Sequence, residues 1–129
     1  MILDTDALIA LLNGEPAADG AVRHLEEKDD QVATTIISAY ELLRGAYISS
    51  EPERNLAEAR ELLSNIEILD LTLQACEEAS KIYSDLRKKG CLIGENDMLV
   101  AGIAKAHAVA VMTRDAHFKL IRAITVVEW

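Results

Sequence analysis

Four acidic residues are the part of this sequence best suited to chemistry. Asp4 ends the opening run MILD, Glu41 lies in SAYELLRG, Asp97 lies in IGENDMLVAG, and Asp115 lies in VMTRDAHF. Each stands near the border between an apolar, strand-like run and a helical pattern. Carboxylates brought to one place repel one another unless a cation neutralises them. If the fold gathers these four, the sequence predicts a divalent-metal site and, with it, phosphate chemistry.

The chemical character of the four side chains indicates which metal they would take. They are hard oxygen donors with no cysteine or histidine among them, which suits Mg²⁺ or Mn²⁺ better than zinc. Mg²⁺ keeps several waters and takes only one or two protein carboxylates directly, so four acids allow one ion or two. Two such ions can stabilise both the attacking and the leaving oxygen of an in-line phosphoryl displacement.

The elements that must position these acids alternate between short apolar runs and helical patterns. Strands are predicted at Met1–Asp4, Gln31–Thr35, Ile66–Leu69, Ala110–Thr113 and Ile124–Glu128. Helices are predicted at residues 5–12, 17–28, 38–49 and 95–107, after Glu51-Pro52, and along an apolar face from Leu73 through Tyr83 to Leu86 that Gly90 ends. Strands separated by helices imply right-handed crossovers, and therefore an α/β fold with a parallel sheet covered on both faces.

This topology brings the acids together. In a parallel α/β sheet, ligands bind at the edge formed by the carboxyl ends of the strands. Asp4 is at the end of the first strand and Asp115 lies just past the fourth. Glu41 and Asp97 are each expected in the first turn of a helix that starts at the same edge. The sequence therefore predicts one shared site.

Each acid also has a purely structural alternative. Ser38 and Glu41 have the spacing of a capping box, in which the glutamate reaches back to the serine backbone N–H. Asp97 and Asp4 could cap helices, and Asp115 could stabilise a turn. Capping explains acids at helix starts in general, but not why four of them reach one edge, which favours the shared site.

Several polar neighbours are candidates for supporting roles. Asp6 could face the site or cap the helix. Asn96 and Thr113 flank the acids and could orient carboxylates or bound water. Arg44 and Arg114 adjoin the acidic residues in the chain and are the candidate phosphate contacts. The run Arg87-Lys88-Lys89 ends a helix, which suits the helix dipole and requires no ligand.

Composition limits the classes of protein that this chain could belong to. Its 129 residues suit a single domain, and the net charge of −9 makes it a poor general binder of polyanions. Any nucleic-acid contact must rest on a local basic patch, on metal ions or on a partner chain. Cys76 and Cys91 read as free thiols of a cytoplasmic protein, and no apolar span is long enough to predict a membrane helix.

At these motifs the sequence resembles the PIN-domain ribonucleases, specifically the VapC-type toxins of toxin–antitoxin pairs. The segments MILDTD, ISAYELLRG, IGENDMLVAGIAKAH, VMTRDAHF and VVEW carry the resemblance over essentially the whole chain, and so predict one PIN domain at residues 1–129. The resemblance implies a three-layer α/β/α sandwich with a five-strand parallel sheet. It also implies metal-dependent RNA cleavage, a homodimer and inhibition by a cognate antitoxin.

The family's functional positions can be carried over residue by residue. Its acidic positions match Asp4, Glu41, Asp97 and Asp115. The first three form the core of the implied site, and the fourth position is often Asn in relatives, so Asp115 either ligates the metal or holds water. Thr113 matches the family's polar residue ahead of it. Asp6 falls where many relatives carry Ser, Thr or Asn, which leaves a ligating and an orienting role both open.

Three other functions remain as alternatives. A PIN-family nuclease could process RNA without being a toxin, and an adjacent small antitoxin gene would separate these two. A phosphoacceptor signalling domain also clusters acids at a parallel-sheet edge, but no lysine follows the last strand here, as that class would predict. A pure interaction module, with its acids serving as caps, would bind no metal.

Overall fold

A computed structural model describes residues 1–129, and its centre is one parallel sheet of five short strands. The strands are β1 (Ile2–Leu3), β2 (Ala33–Thr35), β3 (Glu67–Leu69), β4 (Val111–Met112) and β5 (Val126–Val127). Their order across the sheet is β3-β2-β1-β4-β5, and every neighbouring pair is parallel. The strands are shorter than predicted, but all five lie where the sequence places them.

Six α-helices and one 3-10 helix connect the strands. The helices are α1 (Thr5–Leu12), α2 (Pro16–Glu27), α3 (Ile36–Tyr47), α4 (Pro52–Ser64), α5 (Leu73–Lys88) and α6 (Glu95–His107), and the 3-10 helix spans Ala116–Leu120. Gly14 and Gly90 have φ values of 66° and 67° and lie at the breaks after α1 and α5, in a conformation that glycine adopts without strain. None of the helices is long and apolar enough to cross a membrane.

The sheet separates two hydrophobic cores. Because consecutive strand residues point to opposite faces, Ile2 and Val111 pack with α5 and α6 on one side. Leu3 and Met112 pack with α1, α2, α3 and α4 on the other. All four side chains are at most 5% exposed. This arrangement confirms the predicted three-layer α/β/α sandwich.

The start of α3 differs from the prediction. The helix begins at Ile36 rather than at residue 38, because the Thr35 hydroxyl accepts a hydrogen bond of 3.1 Å from the Ser38 backbone N–H and serves as the cap. The predicted capping box between Ser38 and Glu41 is therefore wrong. Glu41 lies in the second turn of α3, not the first, and its carboxylate is free for other contacts.

The apolar face of α5 also differs from the prediction. Ala75, Ala79, Ile82 and Leu86 are buried, whereas Leu73 at the first position of the helix is 87% exposed and Tyr83 is 38% exposed. The reason is the close approach of α6, which meets α5 through small residues. A Cβ atom at Gly102 of α6 would lie only 2.5 Å from the carbonyl oxygen of Ala75.

Candidate active site

The four predicted carboxylates line one open cleft at the carboxyl edge of the sheet. Asp4 follows β1, Glu41 lies on α3, Asp97 lies in the first turn of α6, and Asp115 follows β4 at the start of the 3-10 helix. The cleft has a volume of about 140 Å³, and Thr5, Asp6, Ser38, Val100 and Phe118 complete its lining. The convergence that topology predicts is therefore present in the structure.

Asp4 is the most buried and most firmly held of the four. Its side chain caps α1 through a 2.9 Å hydrogen bond from the Ala7 backbone N–H to Oδ1, and Oδ2 accepts a short hydrogen bond from the Thr113 hydroxyl. Burial raises the pKa of Asp4, these two hydrogen bonds act against the rise, and repulsion from Asp6 and Asp115 adds to it. The capping role and the site role thus coexist in one residue.

Thr113 connects two of the acids. While its hydroxyl donates to Asp4, its oxygen accepts a 3.0 Å hydrogen bond from the Asp115 backbone N–H. Thr113 is 1% exposed, and its own backbone N–H donates to Val127 of β5. The sheet therefore fixes the threonine, and the threonine fixes the distance between the loop after β4 and the acid after β1.

Glu41 is oriented by a residue that the sequence analysis did not single out. The Thr5 hydroxyl donates a 2.8 Å hydrogen bond to Glu41 Oε1. Arg44 Nη2 lies 3.8 Å from Glu41 Oε2, and its guanidinium stands 5.1 Å from the ring centre of Tyr40. The signal in the sequence was the position of Thr5 between two acids in the run Asp-Thr-Asp.

Asp97 differs from the other three because its carboxylate receives no hydrogen bond from the protein. Its pKa is raised from 3.8 to about 6, first by burial and then by repulsion from Asp115, Glu41 and Asp4, while His117 acts in the opposite sense. The three other acids are therefore near enough to make the charge on Asp97 unfavourable. Without a counter-charge, Asp97 therefore keeps its proton to a higher pH than a free aspartate does.

Asp115 is held by the segment that follows it. Its Oδ1 accepts a 2.9 Å hydrogen bond from the His117 backbone N–H, and the His117 ring Nδ1 lies 2.9 Å from the same oxygen. The His117 side chain is 67% exposed, so it lies outside the floor of the cleft. The second oxygen of Asp115 makes no hydrogen bond with the protein.

The remaining candidates are divided between the cleft and other surroundings. Asp6 is exposed and lines the cleft, and Arg44 reaches the rim through Glu41. Asn96 is not among the lining residues. Arg114 points away: its Nη1 lies 3.2 Å from Glu15 Oε2, and its guanidinium stands 4.2 Å from the centre of the Trp129 ring. Thr113 and Arg114 directly follow β4, and the side chain of Arg114 points to the side opposite the one where Thr113 contacts Asp4.

The chemical type of the four side chains suits a hard divalent cation. All four groups are carboxylates, they interact electrostatically, and Asp97 lacks any partner of its own. As they stand, no three acidic, histidine or cysteine side chains form an arrangement that could hold an ion directly. Small side-chain rotations or intervening waters are needed, in keeping with the preference of Mg²⁺ for a partly hydrated shell.

Comparison with known proteins places the chain in a family. The PIN domain family matches residues 1–124. The chain is 30% identical to the tRNA(fMet)-specific endonuclease VapC of Salmonella typhimurium, and the match covers 99% of this chain and 96% of that protein. It is 29% identical to Ribonuclease VapC2 of Rickettsia felis, with the same two coverages.

Solved structures give the same result. The Rickettsia felis VapBC2 complex bound to a promoter DNA fragment superposes with a TM-score of 0.90 at 28% identity, covering 99% of this chain and 97% of that one. The DNA-bound VapBC of Salmonella typhimurium gives a TM-score of 0.90 at 29% identity, covering 99% and 96%. The chain belongs to the PIN-domain family. Within that family its full-length relatives are the VapC ribonucleases.

Proposed function

We propose that this protein is a metal-dependent endoribonuclease and the toxin of a toxin–antitoxin pair, with Asp4, Glu41, Asp97 and Asp115 as its catalytic, metal-binding centre. The observation that carries the proposal is the state of Asp97. Its carboxylate has no protein partner, and burial together with repulsion from three other acids raises its pKa to about 6. A divalent cation is the ligand that would offset this repulsion and favour the ionised form of Asp97.

The four acids and the residues that hydrogen-bond to them have different roles in this site. PIN-domain nucleases typically use divalent metal ions, and an ion held here would activate water and stabilise charge on the scissile phosphate. Asp4 is a rigid ligand because two hydrogen bonds fix its oxygens. Asp97 has no hydrogen bond to lose and would be free to bind the ion. Thr5 and Thr113 keep Glu41 and Asp115 in position at the sides of the cleft.

Mg²⁺ or Mn²⁺ is the proposed ion. Only oxygen donors line the acidic part of the cleft, and neither Cys76 nor Cys91 lies there. Asp115 either ligates the ion or holds a water bound to it. Asp6 and Arg44 have orienting roles at the rim, whereas the contacts of Arg114 with Glu15 and Trp129 favour a structural role for that residue.

The relatives suggest the substrate and partners to be tested first. The proteins from Salmonella typhimurium and Shigella flexneri are both named tRNA(fMet)-specific endonucleases, so we propose a tRNA as the substrate. The structural neighbours are toxin–antitoxin complexes, which supports a cognate antitoxin as the protein partner. We further propose a homodimer acting in the cytoplasm.

The test of this function is cleavage of initiator tRNA by the purified chain, with Mn²⁺ or with EDTA. Wild-type protein should cleave with Mn²⁺ and not with EDTA, and Asp97→Asn should lose cleavage while it keeps its circular dichroism spectrum. Asp70→Asn is the matched control, since Asp70 also follows a parallel strand, β3, but is exposed at the edge of the sheet. Full cleavage by Asp97→Asn would refute the assignment.

Expression in a bacterial host separates a toxin from an RNA-processing nuclease. A toxin should arrest growth when the wild-type chain is expressed alone, and co-expression of the small protein encoded beside it should restore growth. The Asp97→Asn variant should be harmless in both settings. Normal growth of cells that contain active wild-type protein would favour a processing role.

A further inference from the structure

The chain carries a local group of four exposed cations that form no ion pair. Arg87, Lys88 and Lys89 at the end of α5 and Arg122 after the 3-10 helix are all exposed, and none takes part in an ion pair. They make no side-chain hydrogen bonds either. In a protein with a net charge of −9, such a local excess of positive charge stands out.

The helix dipole explains only part of this group. Basic residues in the last turn of α5 interact favourably with its carboxyl end, which accounts for Arg87 and Lys88. It does not account for Arg122, which comes from a different segment. Lys89 and Arg122 line one groove between the end of α5 and residues 120–123, with Leu86 and Ile121 among its apolar residues. One carboxylate, Asp85, also lines it.

The groove suits a phosphate group better than a base. It is shallow, with a volume of about 40 Å³ against about 140 Å³ for the acidic cleft, so it offers a small charged surface rather than a pocket for a base. Two cations from separate segments can contact the oxygens of one phosphate from either side. No aromatic side chain lines the groove to stack on a base. The ligand chemistry is therefore that of a nucleic-acid backbone and carries no sequence preference.

The groove is connected to the acidic cleft by a short and rigid path. Phe118 lines the cleft, Ile121 lines the groove, and both belong to the same buried cluster. Phe118 lies in the 3-10 helix and Ile121 directly follows it, so the two residues are about 6 Å apart along the helix at the usual rise. A strand whose scissile phosphate lies at the carboxylates can therefore reach the groove within a few nucleotides.

We infer that Lys89 and Arg122 form a backbone-phosphate site that holds the substrate RNA a few nucleotides from the bond that is cut. This inference rests on the proposed ribonuclease function and adds to it the anchor that an acidic protein needs. Long-range repulsion by the net negative charge disfavours RNA binding, and cations placed beside the cleft supply a local attraction that opposes it. Arg87 and Lys88 extend the positive surface along the end of α5.

Binding of a labelled single-stranded RNA in EDTA, followed by fluorescence anisotropy across a salt series, tests the site without cleavage. The double variant Lys89→Gln/Arg122→Gln should bind about tenfold more weakly. The slope of log affinity against log salt should fall by about 0.7 for each lost phosphate contact. The matched control is Arg23→Gln/Lys28→Gln, which removes two exposed cations, one in α2 and one directly after it, that form no ion pair. In cleavage assays, the Lys89/Arg122 variant should raise KM and leave kcat unchanged.

The possible outcomes separate this inference from the proposed function. Equal affinity and equal salt slope in the two double variants would overturn the phosphate site even if wild-type protein cleaves RNA. A reduced slope in a protein that never cleaves RNA would support the site and refute the ribonuclease. If the Lys89/Arg122 variant loses binding to the cognate antitoxin while its RNA affinity is unchanged, the groove is a protein contact and the inference is wrong.

Discussion

At the scale of single residues, the cleft combines ordinary helix-capping interactions with an unfavourable concentration of charge. Asp4 and Asp115 both accept backbone N–H groups as caps, so these acids stabilise local structure as well as line the site. Asp97 accepts no hydrogen bond that would offset its burial and the repulsion from the other acids. Sites of this kind often sacrifice stability for function. The sequence indicated the four acids and places Thr5 between Asp4 and Asp6, but the contact of Thr5 with Glu41 could not be predicted, because it depends on how α1 and α3 pack.

The raised pKa of Asp97 predicts how stability depends on pH without metal. The folded state holds the Asp97 proton up to about pH 6, whereas the unfolded chain releases it near 3.8. Between these values the folded state binds more protons, so rising pH reduces the free energy of unfolding. Above about pH 6, Asp97→Asn should therefore be more stable than wild type by about 1–2 kcal/mol, allowing for solvent screening at this partly exposed position.

Urea unfolding in EDTA over this pH range measures the effect. The gap between Asp97→Asn and wild type should open from about pH 4 to about pH 6 and stay constant above that. A gap that is absent, or that closes with rising pH, would show that the cleft does not raise the pKa of Asp97. Saturating Mn²⁺ should reverse the order, because only the wild-type site gains the binding energy of the ion.

Thr113 is predicted to support stability and metal binding through its hydrogen bonds with Asp4 and Asp115. Thr113→Val keeps the shape of the side chain but removes the donor to Asp4 and the acceptor for the Asp115 backbone N–H. Leaving such buried groups without partners should cost about 1–3 kcal/mol in the free energy of unfolding. Loss of the hydrogen bond should also raise the pKa of Asp4 further. We expect weaker Mn²⁺ binding by calorimetry, and Thr113→Ser should restore most of it. Unchanged Mn²⁺ affinity in Thr113→Val would contradict this role.

At the scale of elements, the sequence predicted α1 and α6 with the bounds that the structure shows, because their capping and breaking signals are local. The start of α3 was displaced by two residues, since Thr35 competes with Ser38 as the cap and only the structure shows which one bonds. The contacts that the Arg114 side chain makes could likewise not be predicted from the sequence. Its contacts with Glu15 and Trp129 join residues from opposite ends of the chain.

The contact between α5 and α6 yields a prediction about packing. A methyl group at Gly102 would lie 2.5 Å from the Ala75 carbonyl oxygen and 2.6 Å from Ala79 Cβ, so Gly102→Ala must push the helices apart. We expect a loss of about 1–3 kcal/mol in the free energy of unfolding. Gly20→Ala in α2 has open space around it and should stabilise the protein by about 0.5–1 kcal/mol. Similar effects of both substitutions would contradict the described packing.

At the scale of the whole molecule, the order β3-β2-β1-β4-β5 brings distant residues together. The central strands β1 and β4 carry Asp4 and Asp115 at their ends, while α3 and α6 bring Glu41 and Asp97 from the two faces of the sheet. This convergence could be predicted from sequence because it follows from parallel strand order. The basic groove could not, because it forms only when the end of α5 packs against residues 120–123.

The central claim is that four carboxylates from across the chain act as one cation site, and calorimetric titration with Mn²⁺ tests it most directly. Wild-type protein should bind Mn²⁺ with a measurable heat, while Asp4→Asn and Asp97→Asn should each lose most of the affinity. Asp70→Asn, an acid at the end of an edge strand, should bind as wild type does. Equal binding by wild type, Asp4→Asn and Asp97→Asn, or no binding by any of them, would contradict the account.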